Sequence, residues 1–112
     1  MSTLQIPLTF SLGLDILDTD TDLLKIEIPD PTNVNVNKVS LNSLSDAVGT
    51  PTIECRNTSS GLGEGITVQF VDGEDFAENT GTLSITDSIW IRSGTPGNLS
   101  HVNGIIRYNY TG

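Results

Sequence analysis

The side chains that could carry chemistry in this 112-residue chain are a run of aspartates, one histidine, one cysteine and scattered carboxylates. Asp18, Asp20 and Asp22 alternate as D-T-D-T-D, a spacing that lets carboxylates converge on a hard cation such as calcium. A helix–loop–helix calcium site starting at Asp18 needs Gly at its sixth position and Glu at its twelfth. Those positions hold Leu23 and Pro29, so the run reads as a solvated turn. His101 follows Ser100, but neighbours on a strand point to opposite faces and cannot form a nucleophile–base pair. There is no G-x-S-x-G elbow. Cys55 shares the two-residue phase of Ile53, which makes it a small buried hydrophobe. One Cys and one His cannot complete a structural zinc site. Glu64 and the pair Glu74–Asp75 could supply two carboxylates for glycoside hydrolysis. One Trp, two Tyr and three Phe, however, leave little to line a sugar-cleaving cleft once a core is built. Gly61-x-Gly63-x-Gly65 leads into a strand, so it lacks the helix N-terminus that makes a glycine loop hold phosphate. No catalytic, cofactor or metal set is expected; the chain reads as a structural or binding protein.

Charge narrows the partners. The formal net charge is −9, which repels phosphate backbones and anionic lipid, so neither nucleic acid nor a membrane surface is an expected partner. No apolar stretch is long enough to span a bilayer. No basic, apolar and small-residue succession marks a secretory leader, so synthesis in a cytoplasm is expected. From Asn57 to Ile91 there is no Lys or Arg, while Glu64, Asp72, Glu74, Asp75, Glu78 and Asp87 fall inside that stretch. That run of acid is either a solvated face or a polarity suited to docking on a basic surface.

The elements that would position these groups are strands. Leu4, Ile6, Leu8, Phe10, Leu12, Leu14 and Ile16 are apolar at every second residue, the period of a strand with one buried face. Pro7 cannot donate to a ladder and Gly13 loosens one, which predicts an edge strand, or two strands bent at Gly13. An arm reaching over a neighbouring subunit would use the same pattern. Leu24, Ile26 and Ile28 alternate next, then Val34 and Val36; Val39 and Leu41 continue on a shifted phase, predicting a bulge near Lys38. Residues 43–48, and again 74–79 around Phe76, read as single helical turns. Thr52–Arg56, the Ile66–Phe70 run, Leu83–Ile85, Ile89–Ile91 and Val102–Tyr110 complete the strands, with Asp72-Gly73 and Gly94–Gly97 as turns. The pattern predicts one all-β domain over 1–112, a small sandwich or barrel of seven to eight strands, jelly-roll-like or immunoglobulin-like.

In overall character, including the alternating Leu4–Ile16 run and the closing Gly104-Ile105-Ile106-Arg107-Tyr108-Asn109-Tyr110, the chain resembles the small all-β head-decoration (cement) proteins of tailed bacteriophages. That resemblance implies a virion structural protein on the capsid surface, binding the major capsid protein lattice as a dimer or trimer. Leu4, Ile6, Leu8, Phe10 and Trp90 are then the candidate interface residues. On this view the N-terminal run crosses a subunit contact, and deleting residues 1–10 leaves a folded remainder that no longer associates. The alternative is a carbohydrate- or receptor-binding module, a tail-fibre tip or small lectin, with Trp90 or Tyr108 stacking on a sugar.

Overall fold

A computed structural model of the chain describes residues 3–16, 21–28, 34–58, 64–85 and 87–111. Eight strands follow in order: β1 Thr3–Ile16, β2 Thr21–Glu27, β3 Val34–Asn42, β4 Thr52–Arg56, β5 Gly65–Gln69, β6 Phe76–Ser84, β7 Ser88–Ser93 and β8 Leu99–Thr111. They form two four-stranded sheets, ordered β1-β8-β3-β6 and β2-β7-β4-β5. Every pairing is antiparallel. Apart from the β4–β5 hairpin, each connection crosses from one sheet to the other. That double Greek key is the jelly-roll form of a β-sandwich.

The alternation seen in the sequence becomes the core between the sheets. Phe10, Leu12, Val36, Val39, Leu41, Leu83, Val102 and Ile106 are buried from one side. Ile53, Cys55, Ile66, Val68, Ile89 and Ile91 meet them from the other. Such facing rows of aliphatic side chains are what hold a sandwich together. The phase change in β3 is a true irregularity: the register shifts between Val36 and Lys38 against both neighbouring strands. Asn37 is the extra residue against β8, and its amide donates to Asn109 Oδ1 at 3.4 Å. β1 breaks register between Leu12 and Asp15, at Gly13. Opposite that break His101 takes φ +49°, a left-handed conformation rare outside glycine, asparagine, aspartate and histidine.

The N-terminal run is an edge strand of the domain's own sheet. β1 pairs with β8 from Thr3↔Thr111 to Ile16↔Leu99, and Pro7 sits where one side of the strand has no partner.

The two expected helical turns do not form. Residues 43–48 make bends whose N–H groups bond across to other segments: Ser43 to Asp75 O at 2.7 Å, Leu44 to Ser100 O at 2.7 Å, and Ala47 to Glu74 O at 2.8 Å. Phe76 opens β6, with Asn42 as its partner, so 76–79 are strand. In both places partners distant in sequence offer the backbone hydrogen bonds that a local helix would have supplied.

Candidate functional site

The crossing topology places the loops 43–51, 70–75 and 94–98 at one end of the sandwich. They are stitched into one surface. Beyond the bonds already given, Val48 and Asn98 exchange N–H···O bonds at 3.1 and 3.0 Å. Gly73 N donates to Ala47 O at 2.8 Å, and Gly49 N donates to the Asp72 carboxylate at 2.8 Å. Gly73, in the Asp72-Gly73 turn, has φ +87°, a conformation that a side chain would strain. On this fixed frame three aliphatic side chains face solvent: Leu44 at 76% exposure, Val71 at 60% and Val48 at 59%. Asp46, Asp72, Glu74 and Asp75 are exposed on the same loops, which contain no Lys or Arg. The end is an apolar patch among carboxylates.

A second surface lies on the outer face of the β1-β8-β3-β6 sheet. A groove of about 590 Å³ runs there, with Ile105 exposed in its floor and the Phe76 ring exposed at its edge. Thr9, Ser11, Asn42 and Asn103 line it on the outward phase of β1, β3 and β8. Among the described residues no charged side chain lines this groove. Ser40 also lines the groove, in the row of Thr9 and Ile105, and that row continues to Glu78, whose carboxylate accepts from Ser40 Oγ at 3.2 Å and pairs with Lys38 at 3.0 Å. The Lys38 ammonium on Glu78 lowers that carboxyl's pKa.

The residues singled out from sequence are scattered. Phe10 is in the core, and Ile6 and Leu8 are half-buried beside it. Leu4 pairs with Tyr110, and its side chain lies outside the described residues. Trp90 stands on the outer face of the other sheet, half-buried, with the Lys25 ammonium 5.2 Å from its ring centroid. The five therefore do not share one surface. Tyr108 is half-buried against the core. Asp22 belongs to β2 and is ion-paired with the Arg92 guanidinium, while Asp18 and Asp20 lie outside the described residues, as do Gly61 and Gly63. Among the described residues no group of three His, Cys, Asp or Glu side chains is placed to hold a metal ion. No helix among them is long and apolar enough to cross a membrane.

Cys55 is buried, and desolvation pushes its thiol from an ordinary 9.0 up to about 12. Only the thiolate attacks a labelling reagent, so the native chain is expected to react no faster than it unfolds. A thiol pKa raised by folding contributes stability below about pH 9, and that contribution is lost as pH rises toward about 12. Labelling with a chromogenic disulfide checks this: fast stoichiometric reaction at neutral pH without denaturant would contradict the burial.

No protein-family model matches the chain, and no curated protein matches it. A solved structure described as "Bacillus endospore appendages form a novel family of disulfide-linked pili" is similar over 98% of this chain and 90% of that chain, with 14% identity and a TM-score of 0.44. At that level the likeness establishes neither a shared function nor a shared partner.

Proposed function

We propose that the chain is a non-enzymatic structural protein that docks through its loop end onto a basic surface of a larger protein assembly. At the finer level we propose a decoration protein seated on the major capsid protein lattice of a virion, as a dimer or trimer. The observation that carries this is the patch of Leu44, Val48 and Val71 among four carboxylates, on loops already locked by hydrogen bonds. A surface ordered before binding loses little conformational entropy on docking. Burying an exposed Leu or Val contributes roughly 1.5–3 kcal/mol each. The carboxylates select a cationic partner and set the orientation. The fold supports the reading only by analogy, since jelly rolls build capsid and lectin domains alike.

The test is co-sedimentation with shells assembled from a major capsid protein encoded in the same genome as this chain. Binding is expected to weaken as salt is raised, because the carboxylates are exposed. The double variant Leu44→Ser, Val71→Ser is expected to keep its melting temperature and lose at least about tenfold in affinity. Equal binding by parent and variant would remove the loop end as the docking site. Failure of the parent to bind at any salt would remove the decoration reading.

A further inference from the structure

The outer-sheet groove has a chemistry of its own, separate from the loop end. In a chain of net charge −9 its described lining residues are all neutral. Among the described residues the side chains of Thr9, Ser11, Asn42 and Asn103 make no hydrogen bonds, so their hydroxyls and amides are presented outward. Each hydroxyl both donates and accepts, and each amide carries two donor hydrogens and an acceptor oxygen. Between them stand two apolar surfaces, the Ile105 side chain and the Phe76 ring.

We infer that this groove binds a neutral oligosaccharide. A pyranose presents hydroxyls around its rim and C–H groups on its faces, so it needs matched donors and acceptors beside an aromatic or aliphatic plate. Phe76 and Ile105 supply the plate; Asn42, Asn103, Thr9 and Ser11 supply the rim contacts. A volume of about 590 Å³ is within the range of small-ligand sites. The other occupants fit less well. A nucleic acid requires cations, and none lines the groove among the described residues. Protein interface cores are depleted in serine and enriched in Tyr, Trp, Phe, Met and Arg; among the described lining residues Phe10 and Phe76 are of an enriched type, while Thr9, Ser11, Ser40, Asn42 and Asn103 are polar. Register supports a built site: Ser11, Asn103, Asn42 and Phe76 form one row across β1, β8, β3 and β6, and Thr9 and Ile105 belong to the next.

The experiment is an NMR titration of the full ¹⁵N-labelled chain with neutral malto-, cello-, manno- and chito-oligosaccharides. At least one series is expected to shift the Asn42 and Asn103 side-chain amides and the Ile105 backbone amide in a saturable way. Phe76→Ala and Asn103→Ala alter exposed side chains and are each expected to weaken that binding at least about tenfold while leaving the remaining spectrum in place. Three results would overturn the inference. One is no saturable shift with any of the four series. Another is shifts confined to the Trp90 face. The third is line broadening that depends on protein concentration without sugar and disappears in Phe76→Ala, which would make a second copy of the chain the occupant. Leu44→Ser, Val71→Ser is expected to bind sugar unchanged, which separates this groove from the docking patch.

Discussion

Removal of residues 1–10 is expected to unfold the domain. The deletion takes away the β1–β8 ladder from Thr3↔Thr111 to Phe10↔Gly104, leaving β8 as a long unprotected edge. It also removes Phe10 from the core, and losing a buried Phe down to Ala alone costs about 3–5 kcal/mol. Loss of the half-buried Ile6 and Leu8 adds to that. A domain of this size has only about 5–15 kcal/mol in total. The truncated chain should show no cooperative urea transition by far-ultraviolet circular dichroism, and its Cys55 should label freely. A soluble, cooperatively melting remainder would instead make the run a dispensable arm, as the alternation alone allowed.

Gly104→Ala is expected to destabilise the domain although the site is in a strand, where glycine is ordinarily the poorer residue. Gly104 lies between Phe10 and Leu41 in register and faces the core. A Cβ there would overlap Phe10 Cζ and Cε1 and stand 2.9 Å from Leu41 Cδ2. Both neighbours belong to the packed core, so a Cβ there has to displace them. Overpacking of this kind costs about 1–3 kcal/mol. The cause can be isolated: Phe10→Leu shortens the side chain over the glycine, so Gly104→Ala should cost less in that background. The coupling should fall in the range of about 0.5–3 kcal/mol found for contacting residues. Urea midpoints of the four proteins measure it. Additive effects would mean that the ring does not press on Gly104.

Fold class was legible because one physical signal, period-two alternation, recurs in segment after segment. Pro7 on an edge, the break at Gly13, the bulge beside Lys38 and the burial of Cys55 are local consequences of the same signal. The false helical turns show its limit. Residues 43–48 and 74–79 hold ordinary helix-compatible side chains, and what decides their conformation is Asp75, Ser100 and Glu74 carbonyls brought in by topology. The candidate surfaces were legible only in part. The cation-free stretch pointed to an acidic region, and Asp72, Glu74 and Asp75 are in it. Val71 adjoins them in sequence, whereas Asp46 and the exposed Leu44 and Val48 join them only through bonds between loops distant in sequence. The groove had no sequence signal: Thr9, Ser11, Asn42 and Asn103 are common polar residues, united by the β1–β8–β3 register.

That register also has a consequence in time. Among the described residues β1 takes β8, more than eighty residues later, as its only ladder partner. On a ribosome adding roughly 5–20 residues per second, β1 therefore waits on the order of ten seconds after emerging before β8 exists to receive it. Throughout that interval an alternating Leu, Ile and Phe ribbon is displayed with nothing to zip against. Folding waits on the emergence of β8, and nascent-chain force measurements should show tension only when β8 clears the exit tunnel. A premature stop before Leu99 should therefore yield an aggregating fragment, because every shorter chain lacks the strand that β1 was waiting for.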